Sequence, residues 1–209
     1  MDVNTWNLQN VKTNNYFQFF EALNIRWHQE FDGKVKPTDR FDNIFSNLHF
    51  FNYSLWHEED EARRDDVDDS VIAQTKRNID KFNQRRNDSI ELLDTYILSL
   101  LKQHPGYSES QPLNSETPGS IIDRISIISL KIYHMDEQTK RTDVNADHIE
   151  ACRKKANRLI EQKNDLRKCF NALIDEYMNG SKTLKVYFQF KMYNDPTLNP
   201  AVYAKQVAQ

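Results

Sequence analysis

Glycine and proline are scarce in this 209-residue chain, with 4 Gly and 6 Pro. Both interrupt regular structure, so their scarcity argues against a turn-rich sheet protein and favours long helices. Cysteine is nearly absent. Cys152 and Cys169 are the only two, and on one straight helix they would stand about 25 Å apart, beyond disulfide reach. That suits a reducing cytoplasm, and a pair without a second pair nearby argues against a structural zinc site. No run approaches the roughly 20 apolar residues of a membrane span, so no membrane insertion is expected. Asp2 stands where a signal peptide would carry basic residues, and no apolar run of sufficient length follows, so the expected location is cytoplasmic. Neither charge sign dominates. A net charge of −3 offers no basic excess for nucleic acid or an anionic membrane surface.

What is present is helical periodicity. Residues 71–103 hold no Pro or Gly and place Ile72, Ile79, Leu93 and Leu100 at one heptad position, with Ile90 and Ile97 at a second. Arg86 interrupts the first row, and Lys76 and Asn83 interrupt the second. Polar groups in an apolar seam are costly unless paired, so they must satisfy one another or meet a ligand. A helix from Asn14 or Asn15 to about Phe31 is expected before it, closed by Asp32-Gly33 and Pro37. A second helix, about 39–65, shows Ile44, Leu48, Phe51, Leu55 and Ala62 on one face, broken by Glu58 and Glu59.

Thr117 followed by Pro118 marks a helix start after a loop over 105–116. The helix that follows, to about 137, is apolar nearly all round and should be the most buried. Ser126 within it is expected to bond back to its own turn. The last long helix, about 146–179, repeats Cys152, Leu159, Leu166 and Leu173 at seven and ends at Gly180. Residues 184–193 then alternate apolar and polar, a strand pattern that needs a partner. The predicted fold is all-α. It is a single domain over 1–209, an antiparallel bundle of four to five long helices, with an irregular arm over 1–13 and an extended C-terminal arm over 181–209.

Three stretches carry a family resemblance: Leu55-Trp56-His57-Glu58-Glu59-Asp60-Glu61-Ala62-Arg63, Asn83-Gln84-Arg85-Arg86-Asn87-Asp88-Ser89-Ile90-Glu91, and Thr117-Pro118-Gly119-Ser120-Ile121-Ile122-Asp123-Arg124-Ile125-Ser126-Ile127-Ile128. With Gln189 to Pro196 they resemble a bacterial family of proteins of unknown function, domain-of-unknown-function family 4254. Its hallmarks are an Arg-Asn-Asp tripeptide, matched by Arg86, Asn87 and Asp88, and an Asp-Lys/Arg-Leu-Ser-Ile-Leu run. In that run Ile125 and Ile128 stand where Leu is usual, a mild apolar swap. The resemblance implies no activity; it implies a neighbourhood of glycosyltransferases of lipopolysaccharide assembly.

The polar interruptions define a candidate pocket of His57, Glu59, Asp60, Arg63, Asn83, Arg86, Asn87, Asp88, Asp123 and His134. The bland reading is an internal ion-pair network that fixes helix register, with Arg86 paired to Glu59. The first functional reading is a pocket for a phosphorylated small molecule such as a nucleotide, nucleotide sugar or sugar phosphate. The free amides at the Thr117 helix start would take the phosphate, with Ser115, Thr117, Gly119, Ser120 and Arg124 around it. The second is a magnesium-dependent, all-helical nucleotide pyrophosphohydrolase with Glu58, Glu61, Asp88 and Glu91 as metal ligands. Magnesium is the one cofactor this pattern suggests, since no His-Glu-x-x-His spacing supports zinc. The third is a homodimeric interaction protein joined through the C-terminal heptads and an aromatic arm of Tyr187, Phe188, Phe190, Tyr193 and Tyr203.

Overall fold

The structure, a computed structural model, describes residues 7–13, 16–30, 40–190 and 197–200. Helices account for nearly all of its regular structure: α1 (Leu8–Thr13), α2 (Tyr16–Gln29), α3 (Arg40–Glu61), α4 (Asp69–Leu101), α5 (Pro118–Thr139) and α6 (Ala146–Met178). None is long and apolar enough to cross a membrane. α3 packs along α4 and α5 along α6, while α2 and α3 both also reach α5. The result is an all-α bundle, as the periodicity predicts, and α5 is the element against which α2, α3, α4 and α6 all pack.

Composition explains that position. Ile121, Ile122, Ile125, Ile128 and Leu130 of α5 are all buried, and Ser126 and Ser129 between them are too small to hold neighbouring helices away. The start of α5 is pressed against α4. A Cβ on Gly119 would stand 2.7 Å from the Ile90 carbonyl oxygen, so only glycine allows the two helices this approach. α6 stops at Gly180, whose φ of 74° is costly for any residue with a side chain.

Two expectations need correction. Leu8–Thr13 is a helix, not an irregular arm. Leu8 and Val11 are buried in the core, and Lys12 pairs with Asp175 of α6 at 2.6 Å. The alternating run after Leu184 forms no strand over 184–190. Among the described residues the one bridge, between Leu113 and Thr183, lies just before that run. Alternation describes one face of a sheet, and among the described residues there is no sheet edge to complete it. The segment instead meets α4 at one point, where the Gln189 amide donates to Glu91 at 2.6 Å. The expected break at Asp32-Gly33 and Pro37, and Met192, Tyr193 and Tyr203 of the arm, lie outside the described residues.

Candidate functional site

α3, α4 and α5 enclose a cleft of about 380 Å³. α3 lines it with Asn52, Leu55, Trp56, Glu59, Asp60 and Arg63, a single face at three- and four-residue spacing. α4 adds Asn83 and Arg86, and α5 adds Ile127 and Leu130. Five of the residues singled out by the broken heptads therefore meet here: Glu59, Asp60, Arg63, Asn83 and Arg86. The Arg86–Glu59 pair does not form among the described contacts. Glu59 instead accepts from Arg63 at 3.0 Å, one helical turn away on the rim. The Arg86 Nε atom is buried with no hydrogen-bond partner.

Asp123 sits behind the cleft. Its Oδ1 accepts from Asn52 Nδ2 at 2.8 Å. Burial raises its pKa, opposed by the Asn52 hydrogen bond and the Arg86 charge. From there a buried chain of polar groups crosses the core. Asn52 Nδ2 also donates to Ser126 Oγ at 3.0 Å; Ser126 meets His49 Nδ1 at 2.8 Å; His49 Nε2 meets Asn24 Oδ1 at 2.8 Å. An amide oxygen can only accept, so His49 carries its proton on Nε2 and takes the Ser126 hydroxyl on Nδ1. Burial pushes the His49 pKa down to about 3, which keeps the ring neutral. Ser126 thus does not bond back to its own turn as expected; Ser129 does, to Ile125.

His57 and His134 leave the cleft altogether. With His28 of α2 they form a second site, in which each histidine offers one ring nitrogen and the three nitrogens lie within 4.8 Å of one another. The Nδ1 of His28 donates to the Asn24 carbonyl at 2.7 Å, and the Nδ1 of His134 donates to Glu137 Oε2 at 2.8 Å. The Nε2 atoms of all three are buried without a partner. Aromatic rings wall the group. Tyr133 stacks on His28 with centroids 4.1 Å apart, Trp56 on His134 at 4.5 Å, and Tyr53 meets His57 edge-on at 4.4 Å. Burial lowers the pKa of His28 and of His57, and for His57 the neighbouring histidines lower it further. Among the described residues this is the one group of three or more His, Cys, Asp or Glu side chains arranged to hold a metal.

The acids expected to bind magnesium are scattered, which corrects that expectation. Glu58 accepts from Asn78, Glu61 from Arg64, Asp88 from Gln84, and Glu91 from the Gln189 amide. α3 and α4 pair with Glu58 level with Asn78, which leaves Asp88 about 15 Å further along α4. Asn87 does not line the cleft.

The phosphate cradle at the α5 start is corrected on the same grounds. Pro118 has no amide, the Gly119 amide donates to Asp94 Oδ1 at 2.6 Å, Ser120 to Thr117 Oγ1 at 3.2 Å, and Ile121 to the Thr117 carbonyl at 3.1 Å. The orphan amides of a helix start are what an anion would use, and those of Gly119 and Ser120 are already taken. Ser115 is exposed, and Arg124 pairs with Glu116 at 2.5 Å. The protein's own Asp94 is the anion at this dipole end; burial raises its pKa to about 6, against the pull of Thr117 and Gly119.

Sequence reasoning missed His28, His49, Asn24 and Asn52. One signal was available: each histidine of the metal-type group follows an aromatic residue, as Trp27-His28, Trp56-His57 and Tyr133-His134, and none of the other three does. No curated protein and no solved structure matches the chain. A family model does, over residues 42–186, which takes in α3 to α6 with the cleft and two of the three clustered histidines. The chain belongs to that family, described as "Protein of unknown function (DUF4254)".

Proposed function

We propose that this protein binds a phosphorylated small molecule, a sugar phosphate or nucleotide sugar, in the cleft between α3, α4 and α5. The observation that carries the reading is Arg86, whose buried Nε has no protein partner. A buried guanidinium nitrogen left unpaired is expensive, and phosphate is one of the two anions, with carboxylate, whose geometry a guanidinium matches. The other lining groups suit the rest of such a ligand. Asn52, Asn83, Glu59 and Asp60 supply donors and acceptors for hydroxyls, and Trp56 supplies a flat apolar face for a sugar or base. The mixed charge of the wall suits a ligand with both an anionic and a hydroxyl-rich part better than inorganic phosphate. A cytoplasmic bacterial role beside envelope glycan synthesis is consistent with this ligand class.

A panel of sugar phosphates and nucleotide sugars, measured by calorimetric titration, tests the reading. At least one compound should saturate the wild type, and Arg86→Ala should weaken it by at least about tenfold, the usual scale for losing a charged hydrogen bond. Heat from no member of the panel, or undiminished affinity in the variant, would remove it.

A second reading, homodimerisation through the C-terminal arm, is favoured by one observation. Tyr187, Phe188 and Phe190 are 74%, 58% and 88% exposed within four residues of chain. Aromatic residues so placed suit a partner surface. Sedimentation at micromolar concentration should give a dimer that Phe188→Ser with Phe190→Ser converts to monomer; a wild-type monomer would dismiss it.

A further inference from the structure

We infer that His28, His57 and His134 form a binding site for a divalent transition metal of the zinc class, held through the three Nε2 atoms with a fourth position open. The site is separate from the cleft, and the two have only Trp56 in common.

A backbone carbonyl and a carboxylate accept hydrogen bonds and do not donate them. The Nδ1 atoms of His28 and His134, facing Asn24 and Glu137, therefore carry the ring protons. In a neutral imidazole this leaves a lone pair on Nε2. Those Nε2 atoms, with that of His57, are buried and meet no donor of the protein. Two buried acceptors beside a third ring nitrogen, none of them with a partner, is an arrangement that folding alone would not favour.

The outer contacts have the form that metal-bound histidines require. Each ligating imidazole ordinarily donates its second nitrogen to a carbonyl or carboxylate, which fixes the tautomer and aims the lone pair. His28 and His134 show one of each. The spacing agrees as well. Tetrahedral zinc with bonds of about 2.1 Å would place the ring centroids about 5 Å apart. The observed separations are 4.9 Å for His28–His134, 5.2 Å for His28–His57 and 5.9 Å for His57–His134.

Ligand chemistry narrows the metal. Three imidazoles without a thiolate or a carboxylate in direct reach disfavour magnesium and calcium and suit zinc, cobalt, nickel or copper. Three protein ligands leave a position for water or a substrate oxygen, the arrangement of zinc sites that react rather than merely brace a fold. Each histidine comes from a different helix, so the ion would also tie α2 to α3 and α5.

The test uses the full-length, tag-free chain stripped with a chelator and titrated with Co²⁺ and Zn²⁺. Co²⁺ should give the intense visible bands of a four-coordinate site with one ion per chain, and Zn²⁺ should displace it. Saturating Zn²⁺ should raise the Tm by about 5 °C or more. His57→Gln and His134→Gln should each weaken binding by at least about 100-fold. The exposed Glu137→Gln, which leaves the core untouched, should weaken it by about tenfold. Arg86→Ala should bind metal like the wild type, so that failure of the cleft reading and failure of this one give different results. Absence of saturable binding in the wild type, or undiminished wild-type affinity in both histidine variants, would overturn the proposal.

Discussion

His49 and His57 lie on the same face of α3, eight residues and about 12 Å apart along its axis, yet their ring nitrogens meet opposite conditions. His49 is fully buried, and both of its nitrogens are engaged, one by Ser126 and one by Asn24. His57 is half-buried, and its Nε2 faces two other histidines with no donor to meet. The same residue type on the same helix thus serves two ends. Where the protein supplies every partner, a buried polar group fixes how helices fit together. Where it leaves several such groups together without partners, as at His28, His57 and His134, they keep lone pairs and edges that the proposed metal would engage.

The largest expected effect separates the two. His49→Ala removes a core ring and strands Ser126 and Asn24, and should lower stability by about 3–4 kcal/mol in urea unfolding. His134→Ala, without metal, should cost only about 1–2 kcal/mol, since its Nε2 gives up no hydrogen bond and what is lost is the stack on Trp56 and the Nδ1 bond to the exposed Glu137. Equal costs would erase the distinction.

Acid sharpens the comparison by a smaller amount. The folded pKa of His49 is about 3 against 6.5 for the free side chain. A depressed histidine pKa contributes stability that is present above 6.5 and lost as the pH falls toward 3. Between pH 7 and 5 that loss is about 2 kcal/mol. Asp94 acts in the opposite sense: its folded pKa of about 6 exceeds the free value of 3.8, so its contribution is present at low pH and lost as the pH rises through 6. Comparing wild type with His49→Gln cancels Asp94. From pH 7 to 5 the wild type should lose about 2 kcal/mol more than the variant, measured by urea unfolding at both pH values. Parallel losses would mean that His49 is not held neutral by its surroundings.

How much of this was legible in the sequence follows from the range of each interaction. α4 and α6 were legible because their apolar residues repeat within a turn or two, and α5 because isoleucines surround it. The cleft was half legible: Glu58-Glu59, Asn83 and Arg86 announced themselves as breaks in a stripe, although Glu59 proved to pair with Arg63. The start of α5 was misread because the anion that fills it, Asp94, comes from another helix 25 residues earlier. The histidine group was invisible to spacing rules, since its members lie on three helices and no local pattern links them. Only the repeated aromatic–histidine dipeptide hinted at it. Ser126 carried no local mark of its buried partner, 77 residues away.

The most direct test of the difference between satisfied and unsatisfied histidines is to follow imidazole ¹⁵N resonances during zinc titration. The account predicts that the Nε2 signals of His28, His57 and His134 shift together and saturate at one equivalent, while both nitrogens of His49 stay where they are. Signals of the trio that ignore zinc, or a His49 resonance that moves with them, would contradict it.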